Sequence, residues 1–175
     1  MLSESYGILY FRFTIDSKPS TFLNPSSDPL GIGYNVIQST IAVGSGKLLG
    51  QGVSHGSQTQ LQFLPEAHTD FIFASLAEAF GFLGVSLVLF FYGLFFYRII
   101  RRLKKVRDDF ATFFVLGVLV YFIAQIFSNI SMNLSMAPVM GLPLPLLSYG
   151  GSSLVISLIM LGIVSNILIK SEADK

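Results

Sequence analysis

Three runs of the chain are almost without charge. Residues 71–97 read FIFASLAEAFGFLGVSLVLFFYGLFFY, with Glu78 the one ionisable acid or base among them. Residues 110–130 (FATFFVLGVLVYFIAQIFSNI) and 152–169 (SSLVISLIMLGIVSNILI) carry no charge at all. A helix needs about 17–25 apolar residues to cross a bilayer, so each run is long enough. The pattern predicts an all-α integral membrane protein with three transmembrane helices.

The segments between these runs set the orientation. Residues 98–109 read RIIRRLKKVRDD and hold Arg98, Arg101, Arg102, Lys104, Lys105 and Arg107, six of the eleven basic residues. Basic loops stay in the cytoplasm, so 1–70 and 131–151 face outward and the tail 170–175 faces inward. Within 1–70, Tyr34, Ile37 and Ile41 recur at helical spacing. This predicts a short amphipathic helix over 33–43, lying on the membrane. Gly44, Gly46, Gly50, Gly52 and Gly56 then interrupt regular structure, and 58–63 (QTQLQF) alternates like an extended stretch. Leu30 to Ile32 and Leu48-Leu49 add apolar contacts at the same interface. The segment MAPVMGLPLPLLSYGG has three prolines and is too apolar to be fully solvated, which predicts a re-entrant or interface-hugging loop. Gly150-Gly151 followed by Ser152-Ser153 suits a turn and an N-cap for the last helix.

Composition agrees with a membrane protein. Of 175 residues, 52% are hydrophobic and 12% charged, with a mean hydropathy of +0.67; soluble domains carry about 25% charged residues. There is no cysteine, which excludes disulfides and thiolate metal sites. The opening MLSESYGILYFRFTID lacks the basic and apolar regions of a signal peptide. No metal cluster, phosphate-binding loop, nucleophile elbow or nucleic-acid motif is present, and no nucleic-acid partner is expected.

The candidate chemistry gathers before the first span, in LPEAHTDF. Asp70 is expected at a membrane surface, where a carboxylate can stay ionised and meet the polar head of a lipid. It reads equally as a catalytic group and as an N-cap or interfacial charge on the helix dipole. Glu78, two turns into the span, reads as helix pairing or as function. Glu66 and His68 could assist Asp70. His55, Gln58 and Gln60 could bind sugar or phosphate, or be solvated. The basic linker is a topogenic signal before it is a docking site.

Three blocks in order resemble a known family: FLNPSSDPLGIGYNVIQSTIAVGSGKLLGQG, HGSQTQLQFLPEAHTDFIFASLAE and GLPLPLLSYGGSS. They look like the C-terminal half of the SEDS proteins (shape, elongation, division and sporulation), and HGSQTQLQFLPE is closer to the rod-shape branch than to the division branch. The resemblance implies three helices of a ten-helix fold in the bacterial plasma (inner) membrane. The chain would start near the large outer loop after the seventh helix. One departure is visible: where the family has two acids, this chain reads Ala77-Glu78-Ala79.

The resemblance also implies an activity. SEDS proteins are glycosyltransferases that polymerise lipid II in cell-wall elongation and division. Asp70 matches the family's loop aspartate and is expected to be the general base. Glu66, His68, Thr69, Gln58, Gln60 and Ser148 are the expected substrate-binding residues. Outward cations are few (Arg12, Lys18, Lys47), so the leaving pyrophosphate would be met by the remaining part of the protein or by a divalent cation, Mg or Mn. The expected partners are a class B penicillin-binding protein, lipid II and membrane lipids. Phe90, Phe91, Phe95, Phe113 and Phe114 are docking candidates for that protein, or lipid contacts. Two other readings stay open: a lipid II flippase, and an inactive truncated remnant.

Overall fold

The computed structural model describes residues 32–52 and 69–173. Among these, every regular element is a helix: α1 (Ile32–Ser45), α2 (Ile72–Leu103), α3 (Asp109–Asn133) and α4 (Gly151–Ala173). The last three are long and apolar enough to cross a membrane. The expected extended stretch at 58–63 lies outside the described residues.

Helices α2, α3 and α4 run up and down. The end of α2, the start of α3 and the end of α4 share one core of Ile99, Leu103, Val115, Val118, Leu119, Phe122, Val164 and Leu168. At the other end, Phe71, just before α2, and Ala74 within it close on Ala42 of α1, with Val139 of the loop after α3 beside them. Much of the remaining apolar surface is exposed, including Phe82, Phe90, Phe113 and Phe127. Hydrocarbon or further helices suit such faces better than water does.

Two of these helices begin and end for legible reasons. The side chain of Asp108 caps α3 by accepting from the Ala111 amide. The basic cluster is partly helical, because α2 continues through Arg98, Arg101 and Arg102 to Leu103. Cations in a last turn are favoured by the helix dipole. Helix α4 starts at Gly151, so Ser152 and Ser153 lie within its first turn and not at the expected N-cap, and the Ser153 hydroxyl donates to the Gly150 carbonyl at 3.0 Å.

Helix α1 forms where the spacing placed it, but it packs through a different face. Ile37 and Ile41 are exposed, whereas Val36, Ser39 and Ala42 are buried. A Cβ on Gly46, just past the helix, would lie 1.9 Å from the Ala77 carbonyl oxygen. Small residues let two backbones approach closely, and that contact, not the largest apolar side chains, orients α1.

Helix α2 is broken. Gly81 has φ 65° and ψ −163°, which no helix contains. The segment 47–52, after α1, fills the break. Lys47 and Leu48 carbonyls accept from the amides of Phe82 (2.9 Å) and Leu83 (3.1 Å). The amides of Gln51 and Gly52 donate to the carbonyls of Glu78 (2.9 Å) and Ala79 (3.0 Å). A break in a spanning helix frees donors and acceptors that lipid cannot satisfy, so the inserted backbone meets a strict requirement. Glycine is needed on both sides: a Cβ on Gly81 would lie 2.3 Å from the Gly50 nitrogen, and one on Gly50 would lie 2.2 Å from the Ala79 oxygen.

Candidate active site

Asp70 is half-buried and sits two residues before α2, at the end opposite the basic cluster. Phe71 occupies the N-cap position and carries no capping group. The Ala74 amide is instead met by Asn133 Oδ1 of α3, at 3.3 Å. A neighbouring helix thus meets one amide of the first turn, and Phe71, not Asp70, stands at the N-cap position.

Two amides of α3 hold the Asp70 main chain. Asn129 Nδ2 donates to the Asp70 carbonyl at 2.9 Å, and Asn133 Nδ2 donates to the same oxygen at 3.2 Å. Asn133 Nδ2 also reaches the Asn129 carbonyl at 2.8 Å, which fixes its orientation. Both asparagines are fully buried. From the far side, the Ser39 hydroxyl of α1 donates to the Asn133 carbonyl at 3.1 Å. Helices α1, α2 and α3 therefore meet at Asp70 through polar side chains, where an unmet polar group would be costly.

The proline-rich loop 134–150 forms the other wall. Its prolines have no N–H, so mainly its carbonyls need partners. Asn129 Nδ2 donates to the Leu142 carbonyl at 2.7 Å, and Gln125 Nε2, one turn further along α3, donates to Pro143 at 2.8 Å. The Tyr92 hydroxyl of α2 donates to the Pro145 carbonyl. The loop thus lies along α3 and packs on protein, as a re-entrant segment must. Gly141, with φ 66°, brings its main chain against the carboxylate: a Cβ there would lie 3.5 Å from Asp70 Oδ2.

Of the expected substrate-binding residues, Thr69 and Ser148 lie within the described chain, and the structure brings them together. The Ser148 hydroxyl donates to the Thr69 carbonyl at 2.8 Å and accepts from the Leu144 amide at 2.7 Å. Ser148 is 5% exposed, so its geometry holds the Asp70 approach and offers little surface to a ligand. Glu66, His68, Gln58 and Gln60 lie outside the described residues. Glu78 is 1% exposed, in the short half of α2 that packs on α1 and segment 46–52. Asn129, Asn133 and Gln125 were not among the expected residues. Their signal was present: three amides spaced by four in an otherwise apolar span form one polar stripe.

The arrangement is a carboxylate at the end of a spanning helix, its backbone clamped by two buried amides and walled by a proline-rich loop. Residues 7–173 match the FtsW/RodA/SpoVE family, described as cell cycle proteins. The chain belongs to that family. It is 47% identical over 145 residues to peptidoglycan glycosyltransferase MrdB of Escherichia coli K12, covering 83% of this chain and 39% of that protein. It is 42% identical over 146 residues to peptidoglycan glycosyltransferase RodA of Treponema pallidum, covering 83% and 34%. It is 40% identical over 148 residues to stage V sporulation protein E of Bacillus subtilis, covering 85% and 40%. A chain from a solved peptidoglycan synthase complex, a study of coordinated polymerization and crosslinking, superimposes with a TM-score of 0.67 at 34% identity. That match covers 89% of this chain and 41% of the other. The chain therefore spans about two fifths of its relatives' length. Its family and its three candidate spans make it a multi-pass membrane protein.

Proposed function

We propose that this chain is the base-bearing part of a peptidoglycan glycosyltransferase that polymerises lipid II at the outer face of the bacterial plasma membrane during elongation. The clamp on Asp70 by Asn129 and Asn133 carries the reading. Two buried donors on one main-chain carbonyl leave the backbone no freedom, and a general base works only when its position is held. The names of the MrdB and RodA relatives support the reaction class.

In the proposed step, the 4-hydroxyl of one N-acetylglucosamine attacks the anomeric carbon of the muramic acid on a second lipid-linked unit. A new C–O bond forms, the bond to the lipid pyrophosphate breaks, and the pyrophosphate leaves with its electron pair. The hydroxyl proton passes to the Asp70 carboxylate, a contribution of about 10²–10⁴-fold. Gly141 leaves the room beside that carboxylate for a sugar hydroxyl, because a side chain there would enter its contact shell.

Among the described residues no group of three or more His, Cys, Asp or Glu comes together to hold a metal. The divalent cation expected at the pyrophosphate, Mg or Mn, would take its ligands from the phosphates themselves and from residues beyond the described ones. The partner we assign is a class B penicillin-binding protein, supported by the likeness to a chain of a peptidoglycan synthase complex.

One observation favours transport: α2 is broken, and discontinuous helices line many transporter paths. Here the break is filled by the backbone of residues 47–52, and polymerisation is the reading we adopt.

The test is an assay of glycan strands made from lipid II by the intact membrane protein that contains this chain. Asp70→Asn keeps the size and one accepting oxygen but removes basicity. It should abolish polymerisation while leaving membrane insertion and melting temperature unchanged. Normal polymerisation by a well-inserted variant would overturn the assignment.

A further inference from the structure

At the end of the bundle opposite Asp70, where α2 turns into α3 beside the end of α4, lies a cavity of about 520 Å³. Lys105, Arg107 and Lys170 stand around it, and Phe110 and Ile167 line its apolar side. Among the described residues that line it the one acid is Asp108, whose carboxylate accepts from the Ala111 amide as the cap of α3. Arg107 and Lys170 are exposed and form no ion pair among the described residues. This cavity plays no part in the chemistry at Asp70.

We infer that this cavity binds the headgroup of an anionic phospholipid, such as phosphatidylglycerol, in the leaflet that faces the basic loop. Arg107 of the α2–α3 turn and Lys170 at the end of α4 can converge on one phosphate, a geometry suited to lipid headgroups between helices at a cytoplasmic surface. The occupant must also be amphiphilic. The cavity borders Phe110, which is 78% exposed, and Phe113 follows one turn along α3 at 73%. That aromatic strip runs from the cavity along the spanning helix and gives an acyl chain a path where a soluble anion would have none. Of the other residues in the basic cluster, Arg98, Arg101 and Arg102 lie on α2 and Lys104 follows it, and none of them lines the cavity.

The experiment measures phosphatidylglycerol retained by the intact protein, purified in detergent, using native mass spectrometry and titration. Arg107→Gln with Lys170→Gln should lower phosphatidylglycerol affinity roughly thirtyfold, as expected for two cations beside an anionic headgroup. Arg98→Gln with Arg101→Gln removes the same charge outside the cavity and should change it less than threefold. Ala111→Trp, which fills the cavity without altering charge, should also expel the lipid. Melting temperatures in phosphatidylcholine check that each variant is folded. Equal loss from both double variants would mean general surface attraction and overturn the site. Unchanged affinity in the Arg107/Lys170 and Ala111 variants, equal retention of phosphatidylcholine, or displacement of the lipid by millimolar inorganic phosphate would each overturn it too.

Discussion

The side chain of Asn133 donates to the main-chain carbonyl of Asp70 at 3.2 Å, across 63 residues of sequence. The same side chain accepts from the Ala74 amide, so one residue of α3 fixes both the candidate base and the first turn of the helix behind it. Asn133→Ala should therefore cost activity and stability together. Each buried partner left unmet costs about 1–3 kcal/mol, and a displacement of the base near 1 Å costs about 10²-fold in rate. A lipid II polymerisation assay should show kcat falling with KM little changed. A variant with wild-type kcat and melting temperature would show the clamp to be dispensable.

The broken helix makes a prediction about glycines. Gly81→Ala and Gly50→Ala each force a side chain onto main-chain atoms within 2.3 Å and 2.2 Å, at φ of 65° and 78°. Left-handed strain and overpacking together amount to about 2–5 kcal/mol. Gly93→Ala and Gly162→Ala meet nothing within 4 Å and should be silent. Thermal unfolding of the purified intact protein separates the two pairs.

Ser148→Ala removes the donor to Thr69 and the acceptor for Leu144. The expected loss is about 1–3 kcal/mol in stability, with polymerisation reduced but not abolished. If Ser148 instead contacts substrate directly, the change appears in KM with melting temperature unaltered. Differential scanning fluorimetry alongside kinetics distinguishes these outcomes.

Orientation is testable by chemical labelling. Tyr149 is 82% exposed in the proline-rich loop, and Lys104 is exposed at the other end of the bundle. This chain holds no cysteine; in intact cells Tyr149→Cys should react with a membrane-impermeant thiol reagent, measured against the parent protein without the substitution. Lys104→Cys should react only after the membrane is opened. The reverse pattern would invert the topology and place Asp70 inside.

The proposed penicillin-binding partner predicts that one aromatic face matters. Phe90 and Phe91 of α2 and Phe113 of α3 are exposed. Replacing each face with serines should weaken co-purification for one face and not the other. Unchanged co-purification from both would remove these residues from the interface.

Much of this architecture was legible in the order of residues. Three spans follow from apolar length, because hydrocarbon forbids an unpaired backbone and so demands about twenty apolar residues of helix each time. The basic linker and the boundary position of Asp70 follow from the same pattern, and the family blocks are local strings. What tertiary structure decided concerns partners distant in sequence. Hydropathy cannot register the break at Gly81, because a helix is interrupted there only when residues 47–52 arrive to bond its freed amides and carbonyls. Spacing singled out Tyr34, Ile37 and Ile41 on α1, yet Val36, Ser39 and Ala42 are buried, since the contact is with a closely approaching backbone that admits only small side chains. The polar stripe of Gln125, Asn129 and Asn133 was visible on α3, but its direction was not. An amide in a spanning helix must find a partner, and the fold supplies the proline-rich loop for all but Asn133 and the carbonyl of Asp70 for the two asparagines.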